Sequence, residues 1–473
     1  MSGRSKKKIS NRVAIRDTIN PIFFITIILI LCAFLSYVIP AGEYQRVTDE
    51  VTGYELIDPD SFSFIERSPI NLLSFMMSVT MGFQRASDII FGLLIIGGAF
   101  GIINGTGALN VGLANLLARN KKRSILFIPL TMLLFGLGSA YCANYEEFLV
   151  FFPIILACSI TLGFDSITAV AIIFCAATAG YGGAITNAYT EGKAQEIAGI
   201  TRYSGSELRT PLFFVLLMAA IVYVSIYAKM VKKSPKLSNC YAYDIEFNRD
   251  KRINLSNIPK LSLRQIFVLV IFLCGMLYMV YGITVKGYYI DEMAGILLLT
   301  GIICGFVGGL KINDVCRTFE KGMHDMLLPV TMIGLANSCI YIMEQANIMD
   351  TVLYYLSQVL AKFPGSMVAV GMFVMHEIFN VFVPSGSTQA AITMPLMVPL
   401  ADATGITRQT ATLAFQLGDA FTNILFPTSG EVLAALAICR VPFNKWVKFL
   451  FPLFIIWWVI SFLFIMYAVK IGF

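Results

Sequence analysis

Four short polar clusters interrupt sequence that is otherwise apolar enough to lie in a membrane. They are Asn144-Tyr145-Glu146-Glu147, Thr186-Asn187 with Thr190 close behind, Ser385-Gly386-Ser387-Thr388, and Thr428-Ser429. A fifth feature, Asp419 with Asn423 one helical turn on, lies in the run LGDAFTN just before the last cluster. Hydroxyls, amides and carboxylates at such depth bind a polar solute or satisfy backbone groups that a broken helix leaves free. An unpaired amide away from water costs about 2–7 kcal/mol, so irregular backbone at membrane depth survives only inside protein or beside a cavity. Glu146 and Glu147 are the sharpest signal, because an acidic residue in a bilayer costs about 2.5–3.5 kcal/mol and is a functional candidate by default. They suit a cationic group, a coupling cation such as Na+ or a proton.

Other chemistries are excluded by residue type. The segment His376-Glu377-Ile378-Phe379-Asn380 has the opening of a zinc-peptidase motif, but Asn380 replaces its second histidine, and the chain holds only two His. Gly182-Gly183 lacks the Lys-Ser/Thr of a nucleotide-binding loop, so ATP-driven transport by this chain alone is excluded. The ten Cys form no CxxC pair, which signals neither a disulfide framework nor a zinc site. No nucleophile–base pair supports an intramembrane enzyme, the remotest alternative. No cofactor is expected, and no metal site. A net charge of +6 is no nucleic-acid footprint, since the Lys and Arg cluster in loops beside apolar spans.

The positioning elements follow from composition and loop charge. At 57% hydrophobic and 14% charged, the 473-residue chain belongs with polytopic membrane proteins. A basic tail, residues 1–19, precedes a span from Asn20 to Pro40, and the acidic loop Ala41–Arg67 follows; the Lys and Arg bias puts the N-terminus inside. An amphipathic helix at Ser68–Arg85 leads to a span at Ile89–Ile103. Two apolar arms, Ile125–Tyr141 and Phe148–Leu162, are too short to cross and read as a re-entrant hairpin over residues 125–163. A span over 166–198 is broken at Gly180-Tyr181-Gly182-Gly183 and again at Thr186-Asn187, before the crossing Leu212–Lys229 and a cytoplasmic loop over 231–264. After a linking helix over 265–290 come the crossing Met293–Leu310, an amphipathic piece at Ile312–Asp325 and the crossing Met326–Met343. A second hairpin over 367–403, a second broken helix over 409–440 and a final span with the C-terminus outside complete nine crossings.

Residues 20–230 and 291–473 read as two repeats. At an offset of 242, Pro153 falls on Pro395, Gly163 on Gly405, Ala169 on Ala411 and Thr186 on Thr428. A shorter upstream match pairs Asp88 with Asp325 and Gly97 with Gly334. Loop charge places the first hairpin on the inner face and the second on the outer face, so the repeats are inverted. Inverted repeats with paired broken helices point to a secondary transporter whose site lies between the repeats near the bilayer midplane.

The motifs PAGEY at Pro40–Tyr44, INGTGALNVG at Ile103–Gly112, TNAYTEGKAQEIAG at Thr186–Gly199, PSGSTQAAITMPLMVPLAD at Pro384–Asp402, GITRQTATLAFQLGDAFTN at Gly405–Asn423 and PTSG at Pro427–Gly430 resemble the YfcC family. That family sits among the C4-dicarboxylate anaerobic carriers of the ion transporter superfamily, and the resemblance covers nearly the whole chain. It implies a homodimer, a scaffold at its interface, and a mobile domain that carries both hairpins as an elevator. Relatives that the chain resembles include arginine/ornithine exchangers with an acidic hairpin tip, here Tyr145-Glu146-Glu147. Ala188 departs from the Pro that often follows Thr-Asn in the family.

The combined expectation is an all-α polytopic protein of the plasma membrane, not an enzyme, moving a small charged metabolite through surrounding lipid. An amino acid fits the acidic candidates best, possible arginine/ornithine exchange included. The alternative is Na+- or H+-coupled C4-dicarboxylate transport.

Overall fold

The computed structural model describes residues 21–48, 55–58, 60–119, 121–142, 145–248, 260–286, 288, 290–360, 362–363 and 366–473. The basic tail therefore lies outside the described residues. The first half runs through α1 (Pro21–Val38), α2 (Leu72–Arg85), α3 (Ser87–Gly105), α4 (Ala108–Arg119), α5 (Phe127–Cys142), α6 (Phe152–Leu162), α7 (Ser166–Gly183), α8 (Glu191–Ile197) and α9 (Ser206–Lys233). A short α10 (Tyr241–Phe247) and the apolar α11 (Leu263–Lys286) follow. The second half is α12 (Ile290–Val307), α13 (Ile312–Asp325), α14 (Leu327–Gln345), α15 (Met349–Leu360), α16 (Ser366–Asn380), α17 (Gly386–Thr404), α18 (Arg408–Thr422), α19 (Gly430–Cys439) and α20 (Phe443–Ile471). Among the described residues, seven stretches are long and apolar enough to cross a membrane, which makes this a multi-pass membrane protein. One of the seven, Ser124–Tyr141, is the first arm of the expected first hairpin; with 18 residues it is longer than the sequence reading allowed.

Helix lengths recur between the halves. The helices α1 and α12 have 18 residues each, α2 and α13 have 14, α3 and α14 have 19, and α4 and α15 have 12. Packing recurs with them: α3 lies against α12 and α13, while α14 lies against α1 and α2. Helix ends also correct the upstream match. Asp88 is in the first turn of α3, whereas Asp325 ends α13, so those two identities are not equivalent positions.

Downstream, the caps agree with the 242 offset. Asp165 accepts from the backbone N–H of Thr168 at 2.9 Å and starts α7; Thr407 accepts from that of Thr410 at 3.2 Å and starts α18. Gly163 and Gly405 end the preceding helices with φ of +87° and +75°, a conformation that glycine adopts without a Cβ penalty. The ungapped match fails within the breaks, because α7 has 18 residues and α18 only 15. The breaks occupy residues 184–190 and 423–429.

The expected interruption at Gly180–Gly183 is not there: α7 continues through Gly183. Every residue of α7 is buried, as expected for a helix apolar all round. A Cβ on Gly180 would collide with Gly136 O and Ala140 N of α5, and one on Gly183 with Phe213 of α9. These glycines allow close packing rather than a break. Gly418 does the same for α18 against Phe373 and His376 of α16.

The start of each broken helix is tied to the chain that follows the last helix of its half. The Asp165 carboxylate accepts from Tyr227 Oη at 2.7 Å and Ser238 Oγ at 2.6 Å, so the start of the expected cytoplasmic loop docks under α7. Thr407 and Thr410 hydroxyls donate to the carbonyl oxygen of Phe473. The acidic loop after α1 carries two antiparallel ladders, β1 (Gly42–Glu43) with β4 (Ser63–Phe64) and β2 (Arg46–Thr48) with β3 (Glu55–Ile57). Arg46 anchors it to Asp350 of α15 at 3.0 Å.

Candidate functional site

A cavity of about 560 Å³ opens where α17 and α19 begin. Tyr145, Tyr181 and the first break contribute Tyr145, Tyr181, Tyr189 and Thr190; the second hairpin contributes Val383 to Thr388, and α19 contributes Gly430 and Glu431. The opposite wall is Arg85 and Ile89 with Asn337, Ile340 and Glu344 of α14.

Both helix starts are exposed to this space for a local reason. Ser385 and Ser429 hold extended backbone at the N-cap positions of α17 and α19, yet neither side chain caps its helix. Ser385 Oγ donates to Thr388 Oγ1 at 3.0 Å, and Ser429 Oγ donates to Glu431 Oε2 at 2.7 Å. The first-turn N–H groups, partially positive by the alignment of peptide dipoles, are left to the cavity. Two such termini beside one another form an anion-accepting wall.

Behind the wall lies a buried hydrogen-bonded layer. Asp419 is fully buried and accepts from Tyr181 Oη at 2.8 Å. Asn423 Nδ2 donates to the Asp419 carbonyl at 2.9 Å, and Asn380 Nδ2 donates to the same oxygen at 2.7 Å. Thr190 Oγ1 donates to Gln416 Oε1 at 2.8 Å, while Gln416 Nε2 donates to Tyr181 O at 2.7 Å. The two breaks are thus joined through α18.

Of the residues expected from sequence, Tyr145, Thr190, Ser385, Gly386, Ser387, Thr388, Asn423 and Thr428 line the cavity. Four others have different partners. Thr186 spends its N–H on Ala140 O and its hydroxyl on Tyr141 O, closing the end of α5. Asn187 Oδ1 accepts from the N–H groups of Tyr189 and Thr190 and shapes the turn. Asp419 stands one layer back, and Ser429 is engaged with Glu431. Asn144 lies outside the described residues. Glu146 and Glu147 open a 3-10 turn, Glu146–Phe151, with their side chains outside the description. Tyr145 stacks on Phe174 with ring centroids 5.1 Å apart and reaches Thr178 Oγ1 at 3.2 Å.

Several site residues escaped the sequence reading. Glu431 was one residue beyond the Pro427–Gly430 cluster and could have been found as a charge in the first turn after a break. Gln416 and Tyr181 carry no signal in sequence beyond lying on the broken helices. The ion pair of Arg85 and Glu344 at the rim joins residues far apart in the chain. Among the described residues, no group of three His, Cys, Asp or Glu is placed to hold a metal ion.

A smaller cavity of about 280 Å³ lies toward the end of α3 and the start of α14, walled by Asn104, Asn248, Asp325 and Arg440 among others.

Comparison with known proteins identifies a family for the chain. Residues 20–470 match the C4-dicarboxylate anaerobic carrier family. The chain is 32% identical over 486 residues to YfcC of Escherichia coli (strain K12), whose name proposes it as a basic amino acid antiporter; the match covers 95% of each chain. It is 30% identical over 469 residues to an uncharacterized protein of Haemophilus influenzae (strain ATCC 51907 / DSM 11121 / KW20 / Rd), covering 90% of this chain and 92% of that one. The crystal structure of the Alcanivorax borkumensis YdaH transporter aligns with a TM-score of 0.41 at 15% identity, covering 96% of this chain and 99% of that chain. That likeness is too distant to inform the site.

Proposed function

Because the chain belongs to the YfcC family within the C4-dicarboxylate anaerobic carriers, we propose that it is a secondary transporter of a small amino acid, basic amino acids included. It is a membrane transporter and not an enzyme. The observation that supports an amino acid is the mixed polarity of one cavity: two uncapped helix starts suit a carboxylate, and Glu431 suits an ammonium group. The name of the YfcC relative favours the same class.

The recurring helix lengths and the exchange of α3 and α14 between halves support an inverted repeat of residues 20–230 and 291–473. In that reading the hairpin helices and both broken helices move together as an elevator against α3, α13 and α14. The two cavities near opposite ends of α3 and α14 are then the outer and inner parts of one path. The N-terminus is inside, the C-terminus outside, the assembly is a homodimer in the plasma membrane, and the cycle runs by exchange or by coupling to Na+ or H+. The acidic hairpin tip, Glu146 and Glu147, is a second cation-attracting element in this reading.

A second reading, C4-dicarboxylate transport, is favoured by the pair of helix starts and by the family's name. Reconstituted protein in liposomes separates the two. Exchange of ornithine, arginine or a neutral amino acid is expected. Exchange of succinate or malate with none of these would replace the amino-acid reading by the dicarboxylate one.

A further inference from the structure

The two post-break helices each begin with an acidic residue in the first turn, and the fold treats them differently. Glu191 starts α8 and is wholly buried. It pairs with Arg209, equally buried, and also accepts from Thr412 Oγ1 at 3.0 Å and Gln195 Nε2 at 2.9 Å. Its charge is neutralised inside the protein. Glu431 in the first turn of α19 has Ser429 Oγ as its hydrogen-bond donor and stands at the cavity wall, half-buried. Among the described residues, no Lys, Arg or His forms an ion pair with it. The cationic side chain among the residues lining the cavity is Arg85, on the opposite wall, and it is already committed to Glu344.

A first-turn carboxylate gains from the helix dipole wherever it sits. That gain explains why Glu is tolerated at both positions, but it does not explain an unpaired charge facing a solute-sized space. From the unmatched charge we infer that Glu431 is the specificity-determining residue of the cavity, and that it pairs with an ammonium group of the transported solute. The inference rests on the transporter reading of the cavity and narrows its substrate class to amine-bearing acids. The solute's carboxylate lies toward the starts of α17 and α19, and its ammonium lies toward Glu431 Oε1 and Oε2. A dicarboxylate would place a second negative charge where the wall is already negative, so it is discriminated against by like-charge repulsion.

The test is a cycle between protein and solute. Wild type and Glu431→Gln are reconstituted, and the affinity of each for ornithine, norvaline, 5-aminovalerate and succinate is measured by competition. Norvaline lacks the side-chain ammonium of ornithine, and 5-aminovalerate lacks the α-ammonium. Glu431→Gln is expected to weaken ornithine by 10-fold or more, with the loss in KM rather than in maximal rate. The analogue lacking the ammonium that Glu431 contacts is expected to bind wild type and variant alike, and succinate is expected to gain relative to ornithine in the variant. Equal ornithine affinity in wild type and variant overturns the role of Glu431 while leaving amino-acid transport standing. A uniform loss for all ligands overturns it as well, because an ammonium contact would spare one analogue. If wild type takes succinate and no amine, the amino-acid reading itself fails. Glu431→Asp, which keeps the charge one methylene shorter, reads the same cycle should the Gln variant not fold.

Discussion

Gly386 and Asp419 stand back to back across the wall of the main cavity. A methyl group on Gly386 would collide with Asp419 Oδ2, with Tyr181 Oη and with Thr190 Cγ2. The first residue of α17 therefore has no room for a side chain, and the hydroxyls of Ser387 and Thr388 are placed by that fit. Gly386→Ala is expected to push the hairpin start away from the break and lower transport by about 100-fold, the scale on which a displacement near 1 Å acts. Protein yield and helicity should change little, since the strain is local. Normal transport by the variant would mean that the second hairpin shifts freely at this point.

The buried pair of Glu191 and Arg209 carries a different expectation. Both side chains are fully buried, and Glu191 Oε2, Arg209 Nε and Arg209 Nη2 have no hydrogen-bond partner among the described residues. An incompletely satisfied buried pair contributes little net stability, yet removing one partner strands the other charge. Arg209→Met should lower stability by about 3–5 kcal/mol. The double variant Glu191→Leu with Arg209→Met should recover most of that loss. Thermal unfolding in detergent reads both; a double variant no more stable than the single one would give the pair a larger net worth than its geometry implies.

These residues also show what could be read from sequence. The α13 boundaries at Ile312–Asp325 follow from strong amphipathic periodicity, and the caps at Asp165 and Thr407 follow from side-chain type and the 242 offset. The Gly180–Gly183 run misled, because glycine marks both breaks and close helix contacts, and only the neighbours Gly136 and Phe213 decide which. The three-residue difference between α7 and α18, with 18 and 15 residues, left too few identities in the breaks to reveal a gap. Gln416 was invisible for another reason: its partner, Thr190, is 226 residues away in the chain.

In the segment that follows α9, Asp244 of α10 accepts from the Ser166 N–H at 3.2 Å and from Asn248 Nδ2 at 2.9 Å, and Asn248 Nδ2 also donates to Cys439 O at 3.0 Å. This segment joins the start of α7 to the end of α19. Burial pushes the Asp244 carboxyl up to about 6, and the nearby negative charge of Asp165 adds to the shift against the hydrogen bonds from Asn248 and Ser166. A carboxyl raised above its unfolded value binds its proton more tightly in the folded state. Its stabilising contribution is therefore full below the ordinary aspartate range and is lost as pH rises through 6. The stability difference between wild type and Asp244→Asn should accordingly shift toward wild type as pH falls from 7.5 to 5. Thermal unfolding across that range checks it, and parallel profiles would remove Asp244 as the titrating group.

The proposed two-sided path makes the most direct demand on the cavities. Ser387 lines the larger cavity with Arg85 and Glu344, near the start of α3 and the end of α14. Asn104, which is exposed, lines the smaller one with Asn248 and Asp325, near the end of α3 and the start of α14. Since α3 and α14 are each long enough to cross a membrane, positions at their opposite ends should face opposite compartments. Single cysteines are placed at Ser387 and at Asn104 in a background with the exposed Cys274 and Cys316 replaced. An impermeant thiol reagent should then label Ser387→Cys from outside in right-side-out vesicles, and Asn104→Cys only in inverted ones. Transported solute should slow labelling at Ser387→Cys at least several-fold, because the helix start it occupies adjoins that residue. Labelling of both positions from one side, under every solute condition, would break the inverted-repeat reading while leaving the chemistry of the larger cavity intact.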